Sequence, residues 1–301
     1  MYRNLVVGFN GSDESRDALA LAGRLRADGG TVTAVNIYVD PGPGRGAELN
    51  AVMAEVAAEQ LASARTDTAN AAWLQTETAP GHSSAHGLHD FAEDHDADLV
   101  LVGSSHRGKV GQTLAGTIGH RLLNGAPCPV AIAPRGYRGR PATRIGAVVV
   151  GVDGSHESEL ALPEAAALAK ASGADLELVA VAEPPVVAYG KGAGPLAGYP
   201  ELEQAIAELT EKRLQRAAEH VSDGKPPKTI LAHGDPAEEL AAVARADDAL
   251  LVVGSRAYGP LRRVLLGSVS TELVKTAACP VIVVPRGVES HHKARAVPRF
   301  S

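Results

Sequence analysis

The stretch Ala147-Val-Val-Val-Gly-Val-Asp-Gly-Ser155 decides how this chain of 301 residues folds. Its first half is a continuous apolar, β-branched run, which is typical of a strand buried on both faces of a parallel sheet. Its second half ends in a serine that can cap a helix, and Glu157 and Glu159 follow in the predicted first turn. The same pattern occurs at Asn4-Leu-Val-Val-Gly-Phe-Asn-Gly-Ser12, which indicates a duplicated unit.

Two further blocks recur in the same order along the chain. Leu99-Val-Leu-Val-Gly-Ser104 matches Leu250-Leu-Val-Val-Gly-Ser255, and Cys128-Pro-Val-Ala-Ile-Ala-Pro-Arg-Gly136 matches Cys279-Pro-Val-Ile-Val-Val-Pro-Arg-Gly287. Matched residues are 143 apart in the first block and 151 apart in the later two, so the second copy carries about eight extra residues in its middle. Three blocks in register indicate a tandem duplication.

The blocks divide the chain into two predicted domains, residues 1–137 and 144–287, with a disordered tail over 288–301. The segment Arg135–Arg144 between them is rich in Gly and Arg and has no apolar period, which is typical of a linker. Its arginines are either solvated or in contact with phosphate.

Composition excludes several classes of protein. The chain has 29 Lys and Arg against 35 Asp and Glu, and a net charge of −6 argues against general binding to nucleic acid. Two cysteines, Cys128 and Cys279, are too few for a disulfide framework, and their equivalent positions before predicted strands indicate core packing. Apolar runs such as Ala249–Val253 are too short to span a membrane, and the N-terminus is too acidic for a signal peptide. We therefore expect a cytoplasmic protein that binds neither nucleic acid nor membrane.

Strands alternate with helices in both copies, which predicts an α/β fold of two tandem, doubly wound, Rossmann-like domains. Each domain is expected to have a five-stranded parallel sheet with helices on both faces. The last strands, Val130–Ala133 and Val281–Val284, are apolar and β-branched, and exposed sheet edges favour pairing. We expect these two strands to pair and to join the domains.

Other segments carry weaker predictions. Glu183–Pro200 is rich in Gly and Pro and is predicted to be a loop, whereas Pro163 should kink or shorten its helix. Long helices are predicted near Ala47–Ala72 and over Glu201–Val221, each with one apolar face against the sheet. The residues of that face are Leu49, Val52, Val56, Leu202, Ile206, Leu209 and Leu214.

Three histidines, His82, His86 and His89, recur at helical spacing. They could place imidazoles on one face and bind a metal, but a solvated polar face is the favoured interpretation because no cysteine or second motif accompanies them. No metal site is predicted there.

A glycine-rich segment follows the fourth predicted strand of each copy, with the spacing Gly-x4-Gly-x7-Gly-[Ser/Thr]. Glycine allows close approach of the backbone to an anion, and a helix N-terminus presents free N–H groups to it. In doubly wound sheets ligands bind beyond the carboxyl ends of the strands, where these segments and the first-strand loops meet. The alternative is ordinary tight turns followed by an ordinary helix cap. The conspicuous residues are Gly103, Gly108, Gly116 and Thr117 in the first copy and Gly254, Gly259, Gly267 and Ser268 in the second.

Across nearly the whole chain, these motifs resemble a tandem protein of the universal stress protein family. Nucleotide-binding members carry Gly-x2-Gly-x9-Gly-[Ser/Thr], an aspartate after the first strand and Cys-Pro-Val at the last strand. Here the second glycine of that motif is replaced by His106 and Ala257, and the aspartate is kept as Asp153 but replaced by Asn10. The resemblance implies that main chain at Ile37 and Val181 holds adenine, and that the two domains form an internal pseudo-dimer, with or without a further homodimer.

What the resemblance implies is binding of adenine nucleotide, as ATP alone or with Mg²⁺, at one site per copy. The implied site residues also include the glycines of the first-strand loops, Gly8 and Gly151. Because the second copy keeps the carboxylate, we hypothesise that it binds nucleotide more tightly than the first. The expected role is a stress-response switch that is not an enzyme, or at most a weak ATPase, because no Walker lysine or positioned base is visible.

Two alternatives stay open. One is an interaction and dimerisation scaffold that has lost nucleotide binding, which the replaced glycines favour. The other is an enzyme of related sheet architecture, such as an adenylating enzyme, although the His-x-Gly-His turn or Ser-Gly-Gly-x-Asp-Ser loop of such enzymes is not found.

Overall fold

The computed structural model describes residues 1–39, 47–104, 118–123, 126–141, 144–184, 186–189, 192–195, 200–221, 225–246, 248–255 and 267–286. Within these ranges the chain forms one ten-stranded sheet with helices on both faces, and each repeat contributes five parallel strands. The predicted α/β fold of two Rossmann-like units is confirmed. None of the described helices is both long enough and apolar enough to cross a bilayer.

The elements of the first repeat alternate strictly between strand and helix. They are β1 (Tyr2–Gly8), α1 (Asp13–Leu25), β2 (Arg26–Val39), α2 (Ala47–Asp67), β3 (Leu74–Gly81), α3 (Ser84–Asp94), β4 (Leu99–Gly103), α4 (Ile118–Leu123) and β5 (Val130–Ala133).

The second repeat follows the same order with one insertion. Its elements are β6 (Ala147–Gly151), α5 (His156–Ser172), β7 (Asp175–Ala182), β8 (Val186–Tyr189), β9 (Gly192–Pro195), α6 (Pro200–Val221), β10 (Lys228–His233), α7 (Pro236–Val243), β11 (Ala249–Gly254), α8 (Ser268–Thr276) and β12 (Val281–Val284).

The strand order is β10-β7-β6-β11-β12-β5-β4-β1-β2-β3, so the two repeats meet at β12 and β5. The central strands are apolar at every position because helices cover both faces; β5 and β12, for example, are buried throughout. One core cluster lies under α1, α2, α5 and α6, and the other lies under α3, α4, α7 and α8. The side chains of Ser12 and Ser155 cap α1 and α5 by accepting hydrogen bonds from backbone N–H groups.

The last strands of the repeats pair with each other in the antiparallel direction, as predicted. Val281 lies opposite Ile132, and Val283 lies opposite Val130. All other neighbouring strands of the large sheet pair in parallel. The strands of the two repeats therefore run in opposite directions.

The described part of the predicted linker is largely exposed, as expected for a solvated segment, but it is also tied to α1. The carboxylate of Asp17, 1% exposed, accepts hydrogen bonds from the backbone N–H of Gly136 at 2.7 Å and of Arg138 at 2.9 Å. The guanidinium groups of Arg24 and Arg140 lie over the buried Tyr137 ring, 4.5 and 5.5 Å from its centre. Sequence reasoning missed Asp17, which is a lone acidic residue inside the apolar pattern of a helix.

Three predictions of local structure differ from the structure. The first long helix ends at Asp67 rather than near residue 72, because Ala69 and Asn70 adopt the left-handed conformation and Asn70 N–H bonds back to Arg65 O. The predicted loop Glu183–Pro200 contains the hairpin β8–β9, since Val-Val-Ala-Tyr has high strand propensity despite the surrounding Gly and Pro. The helix α5 also continues through Pro163 instead of ending there.

Only part of the apolar face predicted on the long helices packs on the sheet. Leu214 is buried, but Val52 is 53% exposed and Leu209 is 55% exposed. The residues that meet the sheet lie in the later turns, at Leu61 and Ala64 in α2. The exposed set is Leu49, Val52 and Val56 in α2 and Leu202 and Leu209 in α6.

The three histidines lie around the start of α3. His82 precedes the helix, and the ring centres of successive histidines are 6.2 and 6.4 Å apart. His86 is 3.6 Å from the Asp90 carboxylate. Within the ranges given above, no group of three or more His, Cys, Asp or Glu is arranged to hold a metal.

We expect Asp17→Ala to lower the free energy of unfolding by about 1–3 kcal/mol, because it leaves the Gly136 and Arg138 N–H groups without their acceptor. Urea unfolding of the whole chain measures the change. The matched control is Asp28→Ala, at an exposed position, with an expected change within about 0.5 kcal/mol. Equal effects from the two substitutions would show that the contact with α1 does not anchor the segment.

Both cysteines are buried, and they lie just before β5 and β12 as predicted. Loss of hydration on burial raises the pKa of the Cys128 thiol to about 12 and that of Cys279 to about 11. Since the thiolate is the reactive form, neither thiol of the folded chain is poised for redox chemistry near neutral pH.

A thiol reagent at pH 8 should therefore label neither cysteine in the native chain and both in denaturant. Because burial raises both thiol pKa values, the folded state favours the protonated thiols. Their contribution to the free energy of unfolding is complete below the unfolded thiol pKa near 9 and is lost as pH rises through the folded values. Rapid labelling of native protein would contradict the described burial.

Candidate functional site

Each repeat has a cavity beyond the carboxyl ends of its strands, next to the loop that follows its first strand. Cavity one, in the first repeat, has a volume of about 260 Å³, and cavity two, in the second, about 100 Å³. Cavity one is lined by Gly8, Phe9, Asn10, Ser12, Glu14, Ser15, Val35, Asn36, Ile37, Ser84, Leu88, Val102 and Gly103. This is the position at which open α/β sheets bind ligands.

Backbone hydrogen bonds shape the first-strand loop of cavity one. The N–H of Phe9 donates to Val35 O at 2.8 Å, which ties the end of β1 to β2. The side-chain oxygen of Asn10 accepts from the N–H of Ser12 at 3.1 Å, and Gly11 takes a left-handed conformation with φ of 77°. These hydrogen bonds set the shape of the loop.

Cavity two repeats this loop with one chemical change. The N–H of Val152 donates to Val179 O at 2.8 Å, and the Asp153 carboxylate accepts from the N–H of Ser155 at 2.9 Å. Asp153 therefore takes the place of Asn10 with the same local hydrogen bond. Cavity two is lined by Gly151, Val152, Asp153, Ser155, Glu157, Ser158, Val179, Val181, Glu183, Pro236, Leu240, Val253, Gly254, Gly267, Val269 and Ser270.

The glycines that end β4 and β11 are required by close packing. A Cβ atom at Gly103 would lie 2.0 Å from the carbonyl oxygen of Glu14, and one at Gly254 would lie 2.4 Å from that of Glu157. Both glycines let a strand end approach the first turn of α1 or α5. Both glycines also line the cavities, so this close packing helps to set the position of each cavity wall.

The structure brings most of the described predicted residues to the two cavities. Gly267 is the N-cap of α8, whereas Ser268 is the first helical residue and is exposed. Cavity one is lined by the predicted Gly8, Asn10, Ile37 and Gly103, and cavity two by Gly151, Asp153, Val181, Gly254 and Gly267. Gly108, Gly116, Thr117 and Gly259 lie outside the described residues.

Several of the lining residues that sequence reasoning missed lie in the second strand and the third helix of each repeat. Asn36, 6% exposed, donates from Nδ2 to Gln60 Oε1 of α2 at 2.7 Å. Ser84 and Leu88 of α3, with their counterparts Pro236 and Leu240 of α7, close the opposite wall. One asparagine in the otherwise apolar end of β2 was the available signal for Asn36.

The two cavities differ in charge. Among the described lining residues, cavity one has one carboxylate, Glu14, and cavity two has Asp153, Glu157 and Glu183. Arg286 lies 3.8 Å from Glu157 and offsets part of this charge. The arginines of the glycine-rich segments, Arg107, Arg256, Arg262 and Arg263, lie outside the described residues.

The family comparison agrees with the repeats. The Universal stress protein family model matches residues 1–134 and again residues 145–285. A universal stress protein of Mycobacterium tuberculosis is 36% identical over 191 residues, 62% of each chain. A second one from that organism is 30% identical over 212 residues, 68% of this chain and 71% of the relative. The match to the first relative thus spans less than two thirds of its length.

The structural comparison supports the same assignment at the level of the fold. A crystal structure of a universal stress protein from Archaeoglobus fulgidus aligns with 95% of this chain and 100% of its own, with a TM-score of 0.63 and 17% identity. Two family matches in tandem, with a shared fold over nearly the whole length, place the chain in the universal stress protein family.

Proposed function

We propose that the protein binds adenine nucleotide, ATP alone or with Mg²⁺, at one site in each repeat, and acts as a cytoplasmic stress-response switch. The observation that carries this proposal is the pair of equivalent cavities beside the first-strand loops. Family membership adds support because the nucleotide-binding pattern of that family is partly kept here. The internal pseudo-dimer through β5 and β12 and any further homodimer belong to the same proposal.

The described residues fit the nucleoside part of such a ligand. The walls at Val35 and Ile37, and at Val179 and Val181, are apolar, and the carboxyl ends of β2 and β7 offer backbone groups to a base. In each cavity the first-strand loop supplies a side-chain oxygen for hydroxyl groups of a ribose, from Asn10 or from Asp153.

The described residues do not fit rapid phosphoryl transfer. Among the described lining residues no lysine, arginine or histidine meets the cavities, and a phosphoryl group in transfer needs positive charge around it. We therefore propose a binding protein in which occupancy, rather than turnover, carries the signal. A nucleotide can shift a protein between states only by binding one state more tightly.

An interaction scaffold is the second candidate function. The exposed apolar residues in α2 and α6, such as Val52 and Leu209, favour it, because large apolar side chains on a surface often mark contact sites. Release of adenine nucleotide on denaturing the purified protein distinguishes the two. Its absence, together with no thermal shift on adding ATP and Mg²⁺, favours the scaffold.

Calorimetric titration with ATP should reveal two sites, and Gly267→Val and Gly116→Val should each weaken one of them. We expect the larger loss of affinity from Gly267→Val, because repeat two keeps the aspartate carboxylate at Asp153. The smaller volume of cavity two acts in the opposite direction. Equal losses, or a larger loss from Gly116→Val, would reject the ranking of the repeats.

Turnover of ATP by the whole chain should stay below about 1 s⁻¹, the low end of ordinary enzymes. Release of inorganic phosphate under saturating ATP and Mg²⁺ measures it, with the Gly267→Val, Gly116→Val double variant as the control for contaminating activity. A faster rate that is lost in the double variant would show that the protein is an enzyme.

A further inference from the structure

A further cavity lies in repeat two, at the opposite edge of the sheet from cavity two. Cavity three, as we name it, has a volume of about 520 Å³ and lies between the last turns of α5 and α6 and the first residues of β7. It is larger than cavities one and two and shares no described lining residue with either. Its volume falls within the range of roughly 300–1,000 Å³ that is typical of small-molecule sites.

The walls of cavity three are mainly apolar. Its partly buried apolar lining residues are Pro163, Ala166, Ala167, Ala174, Leu176 and Val221. The charged lining residues of the described chain are Lys170, Asp175 and Lys225, which are all exposed. Lys225 Nζ donates to Asp175 Oδ1 at 2.5 Å. An apolar wall with a few polar groups is the usual composition of a small-molecule pocket.

Repeat one fills the corresponding space with an aromatic side chain of its own. Trp73 lies just before β3 and packs against the core cluster under α1 and α2. A Cβ atom at Gly23 of α1 would lie 3.6 Å from the edge of the indole ring, so the ring lies against this helix. The guanidinium of Arg26 lies over the ring, 5.3 Å from its centre.

The duplication identifies the corresponding positions of repeat two. Gly23 corresponds to Ala166, because each lies eleven residues after the serine that caps its helix. Trp73 corresponds to Pro226, because each lies four residues before the residue that pairs with the valine bonded to the first-strand loop. Both Ala166 and Pro226 line cavity three. The space that an indole ring fills in repeat one is therefore open in repeat two, where a proline replaces the tryptophan.

We propose that cavity three is a binding site for a small molecule with a planar aromatic ring of the size of indole. The ligand supplies in repeat two the ring that Trp73 supplies in repeat one. An unfilled apolar space forgoes van der Waals contacts, and apolar cavities in proteins bind aromatic molecules. The ammonium groups of Lys170 and Lys225 line the same cavity, and cations are attracted to the face of an aromatic ring. This site does not depend on the proposed nucleotide binding.

Calorimetric titration of the full chain with indole tests the proposal. We expect one site with a dissociation constant of about 1 mM or below. Ala166→Leu should weaken indole binding about tenfold or more, because the larger side chain takes up space that the ring needs. The matched control is Ala171→Leu, at an exposed position of the same helix that does not line the cavity, with an expected change of less than about twofold.

Two further variants exchange the arrangements of the repeats. Pro226→Trp supplies the ring from the chain, as in repeat one, and should abolish indole binding while it raises the thermal unfolding midpoint. Trp73→Ala empties the corresponding space of repeat one and should add a second indole site. Saturating indole should then restore part of the lowered unfolding midpoint of Trp73→Ala.

Three results would overturn the proposal. The first is a parent chain that does not bind indole. The second is indole binding that is unchanged in both Ala166→Leu and Pro226→Trp, because the ring would then lie elsewhere. The third is indole binding that appears only in a Phe300→Ala variant, which would assign the cavity to an aromatic side chain of the protein itself.

Discussion

The antiparallel pairing of β5 with β12 is the interaction on which the rest of the structure depends. Without it, each repeat would expose the edge of an apolar, β-branched strand, which is a template for aggregation. With it, both strands become central, and the ten strands share two continuous core layers that cross the boundary between repeats. The described linker adds to this seam, because Arg140 donates to Ala278 O, just before Cys279 in the second repeat.

The same pairing determines where the two cavities open. Parallel strands within a repeat have all their carboxyl ends on one side of the sheet, and antiparallel pairing at the seam reverses that side for the other repeat. Cavities one and two therefore face opposite edges of the sheet and share no described lining residue. Helix α1 begins beside cavity one and packs on β5, and α5 begins beside cavity two and packs on β12. Communication between the cavities would therefore have to pass through these helices and the shared core layers.

Sequence alone predicted the elements whose signals are local and periodic. The strand Val281–Val284 matches its prediction to the residue because an uninterrupted β-branched run between prolines has no competing structure. The prediction that the apolar face of the long helices packs on the sheet was wrong, because helical spacing shows that a helix is amphipathic but not which of its turns reach the sheet. For the site, motif positions located Asp153 and Gly267. A lone asparagine in an apolar strand end was a signal for Asn36, but its contact with Gln60 joins residues far apart in the sequence and has no local pattern.

The residues around the two first-strand loops differ in charge. Repeat two combines the carboxylate of Asp153 with Arg213, which lies against the adjoining Gly154. Repeat one combines neutral amides, at Asn10, Asn36 and Gln60. Asp153 and Asn10 are both exposed, so water solvates the carboxylate as readily as the amide. The two loops therefore keep the same local hydrogen bond to the serine two residues on while the charge of the side chain differs.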